Sequence, residues 1–130
     1  MLTQANHFIE VRNLSKQYEN GASETVQAIE HMDFVIEDGE FVTIMGQSGS
    51  GKSTLLSALG ALNRPTGGQV VVDSLDLYGL NTEQRADFRS EYIGFIFQSF
   101  QLVPYLTVME NVKLPLSVNG LKRREQDRMA

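Results

Sequence analysis

The sequence predicts an α/β fold, and three observations carry that reading. Apolar and polar residues alternate through the first third of the chain, and the run FVTIM at 41–45 is almost continuously apolar and β-branched. A glycine-rich octapeptide at 46–53 then leads into leucines at helical spacing. A chain of 130 residues, 42% hydrophobic and 21% charged, has enough apolar surface for one core and too balanced a composition for disorder. Sixteen acidic residues against eleven basic ones leave a formal net charge of −5, so no broad cationic surface draws in nucleic acid or anionic lipid. There is no cysteine, which removes disulfides, thiolate metal sites and thiol nucleophiles and is compatible with a reducing compartment. The opening MLTQANHFIE lacks a basic segment followed by an apolar one. No apolar run approaches the ~20 residues a bilayer-spanning helix needs, so direct membrane insertion is not expected.

Each element follows from local pattern. Phe8, Glu10 and Arg12 alternate with Ile9, Val11 and Asn13, the period of a half-buried strand. The stretch YENGASET at 18–25 is polar and glycine-bearing and reads as a loop. Met32, Phe34 and Ile36 share one strand face, with Asp33, Val35 and Glu37 on the other. Asp38-Gly39 predicts a tight turn after which Glu40 onward returns antiparallel, and 41–45 follows as a strand buried on both faces. A helix is expected from about Gly51, striped by Leu55, Leu56, Leu59 and Leu62, until Asn63-Arg64-Pro65 breaks it. Residues 70–72 read as a short strand, 81–90 as a small helix and 93–97 as a further strand. Thr107 and Glu110 have capping-box spacing and predict a helix start, which Pro115 should kink and Asn119-Gly120 should end. The final LKRREQDRMA favours helix but carries no stop signal, so the chain is expected to end inside an element rather than after one.

The octapeptide Gly46-Gln47-Ser48-Gly49-Ser50-Gly51-Lys52-Ser53 satisfies the pattern G-x-x-x-x-G-K-[ST]. A buried strand before it and a striped helix after it are the placement that phosphate binding demands. Glycines 46, 49 and 51 let the backbone curl around an anion, so that successive N–H groups and a helix N-terminus face the same phosphate oxygens. Ser48 and Ser50 belong to the same cradle. Lys52 is placed to bridge β- and γ-phosphates, Ser53 to offer its hydroxyl to Mg²⁺, and Thr54 to contact the α-phosphate.

The stretch GEFVTIMGQSGSGKSTLLSALGALNRPTGGQVVVDSLDL, followed by YIGFIFQSFQLVPYLTVMENVKLPL, resembles the ATP-binding subunit of ABC transporters, within the subgroup serving lipoprotein release and macrolide export. The resemblance implies a P-loop NTPase core with an N-terminal antiparallel β subdomain, truncated before the helical subdomain is complete. Its divisions are antiparallel strands at 1–45, phosphate loop and helix at 46–63, remaining strands and Q-loop at 69–106, and the start of the helical subdomain at 107–130. It implies ATP and Mg²⁺ as cofactors, with Gln98 as the Q-loop glutamine that offers an amide oxygen to Mg²⁺ or the attacking water. Lys52 and Gln98 are thus the residues assigned to the reaction, Ser53 and Gln98 the metal ligands. Tyr18 matches the aromatic whose ring stacks on adenine. Part of 100–105 is assigned to a groove that receives a helix of a transmembrane permease. A second ATP-binding subunit, forming a homodimer, is the other implied partner, nucleic acid is not one, and the location is cytoplasmic, peripheral at the cytoplasmic face of the membrane.

Three elements of that family have no counterpart in this sequence: the signature motif, the Walker B aspartate with its catalytic glutamate, and the switch histidine. The nearest imitation of Walker B, Val70-Val71-Val72-Asp73, has Ser74 where the glutamate belongs, and Asp73 reads as a turn residue. His7 and His31 are incidental, and Lys122-Arg123-Arg124 is a solvated helix face. The isolated chain is therefore expected to bind ATP without hydrolysing it, since the cradle is present and the base is not. Two other classes stay open on the residues alone: a small P-loop kinase, and a non-catalytic nucleotide-binding or assembly module.

Overall fold

In the computed structural model, which describes residues 7–21, 24–118 and 120–130, the chain opens with a long antiparallel pair, β1 (Ile9–Asn20) and β2 (Glu24–Ile36). The loop expected at 18–25 is shorter than its composition implies. Tyr18 pairs with Val26 and Glu19 with Thr25, so the polar residues extend the ladder, while Ala22 and Ser23 lie outside the described residues. Polar composition favours exposure, not loss of pairing, and this end of the sheet is exposed. After α1 (Lys52–Leu59), β3 (Gly67–Val72) pairs with the other edge of β1, and β4 (Leu75–Asp76) pairs with β3. The resulting sheet has the order β2-β1-β3-β4 and is antiparallel throughout. Asp73 and Ser74, at φ 45° and 69°, make the two-residue connection between β3 and β4, with the positive φ at both positions that a tight hairpin turn requires.

The β1–β2 ladder is interrupted by bulges. Between the pairs Val11–Phe34 and Leu14–Met32, β1 carries an extra residue; between Leu14–Met32 and Lys16–Ile29, and again between Lys16–Ile29 and Gln17–Gln27, β2 carries it. The last of these extra residues is Ala28. Among the described residues the core lies in the part of the chain that ends at Ala86: Val11, Leu14, Ile29, Leu55, Ala58, Val70, Leu77 and Tyr78 are buried there.

Two strands expected from composition do not form. Residues 40–47 and 93–97 pair with no strand among the described residues, and their side chains are largely exposed, Phe41 by 93% and Met45 by 86%. A strand buried on both faces exists only between hydrogen-bonded neighbours, and pairing is not a property of the segment itself. The turn before the first of them forms as expected, with Glu40 N–H donating to the Glu37 carbonyl at 3.2 Å. It has Gly39 at φ 75° in its second central position, an arrangement that splays the flanking segments instead of closing a hairpin.

Helix α1 stops before the Asn63-Arg64-Pro65 breaker. Leu62 N–H reaches the Ser57 carbonyl (2.9 Å) and Ala61 N–H the Ala58 carbonyl (3.2 Å), with Ala61 at φ 56°, the Schellman arrangement. Its stripe narrows accordingly: Leu55 is buried, while Leu56 and Leu62 are exposed. The Tyr78 hydroxyl lies 2.7 Å from the carbonyl oxygens of both Ala58 and Asn63, tying the end of the helix to the segment after β4.

The second compact unit begins at Asp87 and contains no fully buried residue among those described. Helix α2 (Thr82–Tyr92) runs into it, followed by α3 (Val108–Val118) and α4 (Arg123–Met129). Local hydrogen bonds order it. Asn111 accepts from Val103 N–H at 2.8 Å and donates to the carbonyls of Val103, Leu106 and Thr107, pinning the preceding loop onto α3. Pro115 is accommodated within α3, and Gly120 follows it at φ 70°; Asn119 lies outside the described residues.

The capping box at the start of α3 is present, with Thr107 N–H donating to the Glu110 carboxylate at 2.8 Å and Glu110 N–H to the Thr107 hydroxyl at 3.3 Å. The Thr107 backbone bond, then its hydroxyl, hold the Glu110 carboxyl below the ordinary glutamate range. A depressed carboxylate contributes stability above its unfolded-state value and loses it as pH falls through the folded-state value. The helicity of α3 is therefore expected to decline on acidification into and below the usual glutamate range. Glu110→Gln, which preserves the shape of the cap, should flatten that dependence in a pH series of far-ultraviolet circular dichroism. An unchanged acid limb in the variant would rule out Glu110 as its source.

Candidate phosphate-binding site

The octapeptide forms a compact loop that ends on α1. Ser50 N–H donates to the Gln47 carbonyl at 3.2 Å, and Leu55 N–H closes the first helical turn on the Gly51 carbonyl at 2.8 Å. Gly49 and Gly51 have φ 81° and 87°. For Gly51 the left-handed conformation coincides with crowding: a Cβ there would lie 2.3 Å from the Ala28 carbonyl oxygen. Ala28 is the extra residue of the β2 bulge, so the irregularity in the sheet presents a carbonyl to the N-cap of the helix that carries the loop.

The Lys52 ammonium donates to the Gly46 carbonyl (2.8 Å) and the Gln47 carbonyl (2.6 Å) and reaches the Ser50 hydroxyl at 3.3 Å. The backbone N–H groups of Gly49, Gly51, Lys52, Ser53 and Thr54 donate to no acceptor among the described residues. A helix N-terminus leaves such donors unsatisfied, and the loop adds to them. Ser53 is exposed in the first turn of α1 and Thr54 is half-buried beside it. Unused amides beside an ammonium make a site for a multiply charged oxyanion, and the exposed Ser53 hydroxyl is the kind of hard oxygen donor that Mg²⁺ accepts. The donor set thus fits a magnesium-bound polyphosphate.

Gly46, Ser48, Gly49, Ser50, Gly51, Lys52, Ser53 and Thr54 lie along the loop and the first turn of α1. Tyr18 stands in the same unit, on β1, opposite Val26 and so one alternate position from Ala28 along β2. It is 40% exposed. Gln98 belongs to the second unit, at an exposed bend that follows the unpaired segment 93–97. Within that unit, Leu102, Val103, Pro104, Leu106, Val108, Asn111 and Val112 line an apolar groove of about 350 Å³. It overlaps the segment 100–105 singled out in the sequence, while Phe100 and Tyr105 stay outside the lining. No cluster of His, Asp or Glu able to hold a metal ion by itself occurs among the described residues. Two contributors are invisible to motif reading: the Ala28 carbonyl, which is backbone, and Asn111, whose type is too common to signal a role.

Known proteins match most of the chain. The family model described as ABC transporter matches residues 29–130. The ABC transporter ATP-binding protein YvrO of Bacillus subtilis is 42% identical over 120 residues, which cover 92% of this chain and 52% of that protein. The lipoprotein-releasing system ATP-binding protein LolD of Porphyromonas gingivalis is 41% identical over 117 residues, covering 90% of this chain and 51% of that one. The dimeric structure of the ABC transporter cassette MJ0796, from Methanocaldococcus jannaschii, superposes with a TM-score of 0.84 at 40% identity, over 92% of this chain and 53% of that chain. A post-hydrolysis structure of that cassette, bound to ADP and Pi, matches with the same TM-score of 0.84. The chain therefore spans about half the length of the relatives it matches. These matches set aside the kinase alternative.

Proposed function

The chain belongs to the ABC transporter family, as an ATP-binding subunit whose fold corresponds to about half of the family's cassette, and from that premise we propose how it works. The loop at 46–53 holds the triphosphate of ATP: the amides at 49 and 51–54 bond its oxygens, and Lys52 exchanges its own loop carbonyls for the β- and γ-phosphates. Ser53 would offer its hydroxyl to Mg²⁺, which would supply charge neutralisation at the phosphate oxygens when bound. The Tyr18 ring stacks on adenine. Residues 107–130 begin a helical subdomain, with the segments before them completing the division set out from the sequence.

In the complete protein, ATP binding and hydrolysis drive export or release of a substrate through a membrane permease. Part of the segment 100–105 then meets that permease, and a second ATP-binding subunit completes each nucleotide site. No helix among the described residues is long and apolar enough to cross a membrane. The complete protein attaches at the cytoplasmic face through the permease. The chain by itself binds ATP and does not turn it over, because its sequence supplies a cradle without a catalytic glutamate, switch histidine or signature motif.

The observation that carries this reading is the set of unused amides gathered around the Lys52 ammonium. Calorimetric titration of the chain with MgATP should show binding that Lys52→Ala weakens by roughly 10- to 100-fold, the worth of a charge-assisted contact. Phosphate release should stay at the buffer rate. Equal affinity in the variant would refute the assignment of the loop, and sustained phosphate release would refute the claim that hydrolysis is absent.

A further inference from the structure

Lys16 stands two residues before Tyr18 on β1, and its ammonium is fixed from two sides. It donates to the Arg64 carbonyl at 2.8 Å and lies over the Tyr18 ring, 5.0 Å from the centroid. The carbonyl belongs to the connection between α1 and β3, which is itself tied to β1: Gln17 N–H donates to the Thr66 hydroxyl at 2.9 Å and Thr66 N–H to the Ser15 carbonyl at 2.8 Å. The ammonium is therefore not a roaming surface charge. Its position is set by backbone, and that position covers one face of the tyrosine.

A cation over an aromatic face is held by the ring's quadrupole, and the arrangement restrains the ring as much as the cation. Tyr18 remains 40% exposed with one face taken, so the opposite face is the one left for a planar partner. Two residues along β2 from Tyr18's partner Val26, the Ala28 carbonyl abuts Gly51 at the start of the phosphate loop. Tyr18 and the start of the phosphate loop therefore flank the same short stretch of β2.

We propose that Lys16 is a positioning residue for the base: anchored on the Arg64 carbonyl, it occupies one face of Tyr18 and fixes the ring so that its other face receives adenine. This rests on the reading of Tyr18 as the stacking aromatic. Lys16 would contact neither base nor phosphate, so its effect should appear for ligands that carry a base and vanish for those that do not.

The test is calorimetry of the whole chain with MgATP and, separately, with magnesium tripolyphosphate. Lys16→Met keeps the aliphatic stem and removes the charge; it should weaken MgATP about two- to fivefold, the range of an exposed cation–π contact, and leave tripolyphosphate affinity unchanged. Lys16→Arg restores a cation able to lie on the ring and should recover most of the loss. In a Tyr18→Ala background, Lys16→Met should have no further effect on MgATP. If Lys16→Met weakens both ligands alike, or arginine gives no rescue, Lys16 is only a structural tie and the proposal falls. If Tyr18→Ala weakens MgATP while Lys16→Met does not, the positioning role fails and the stacking role stands. If Tyr18→Ala leaves MgATP affinity unchanged, the stacking reading fails and takes this inference with it.

Discussion

Gly51→Ala is expected to abolish detectable MgATP binding and to lower the stability of the chain by about 2–5 kcal/mol, the sum of a left-handed alanine and a crowded methyl. Either cause alone would be milder. Gly51 sits at φ 87°, which an alanine adopts only with strain, and its missing Cβ would stand 2.3 Å from the Ala28 carbonyl oxygen. That oxygen cannot retreat cheaply, because Ala28 is the bulged residue between two register-fixing pairs, Lys16–Ile29 and Gln17–Gln27. The loop must move instead, and with it the amides that follow Gly51. Gly39→Ala supplies the control: it shares a positive φ, 75°, but has no atom within 4 Å of the added methyl. It should cost only about 1–2 kcal/mol and leave nucleotide affinity intact. Urea unfolding and calorimetry on both variants decide the matter, and equal behaviour of the two would show that the Ala28 contact is not what fixes the loop.

The phosphate loop was readable because its function constrains residue types at fixed spacing, and the flanking pattern supplied its context. The bulges that aim the sheet at the loop also left a trace. Along β1 the buried positions step from Val11 to Leu14, and along β2 the apolar positions step from Val26 to Ile29 to Met32, before returning to alternation at Phe34 and Ile36. A step of three inside a period of two marks an extra residue, and each such step contains an irregularity of the observed ladder. What composition could not provide was pairing. The run at 41–45 has the residues of a central strand, but whether a neighbour lies beside it depends on distant parts of a chain. The same holds for 93–97, where Phe95 and Phe97 stack on each other at 5.7 Å between centroids instead of entering a core. Tyr78 and Asn111, which fasten the end of α1 and the start of α3, act through carbonyl groups whose positions only the folded backbone fixes.

Gly68→Ala should destabilise the chain as strongly as Gly51→Ala, by about 2–5 kcal/mol, yet spare the affinity of whatever fraction stays folded. Gly68 is the second residue of β3, at φ 85°, and a Cβ there would meet three backbone atoms of β1: the Asn13 oxygen at 2.3 Å, the Arg12 oxygen at 2.6 Å and the Asn13 carbon at 2.6 Å. The bulge at Asn13 cannot yield, since its N–H donates to the Asp33 carboxylate at 2.7 Å and its side-chain oxygen lies 2.6 Å from His31 Nδ1. The methyl would therefore prise β3 from β1, starting at the pairs Arg12–Gln69 and Ser15–Gly67 that flank the bulge. The phosphate loop abuts the Ala28 carbonyl of β2, so its amides are expected to keep their arrangement while the β1–β3 ladder weakens. Amide exchange should accelerate at Asp73, whose N–H donates to the Phe8 carbonyl across that ladder, before it changes at Leu55 in the first turn of α1. Loss of MgATP affinity in step with the loss of stability would instead mean that the sheet and the loop unfold as one unit.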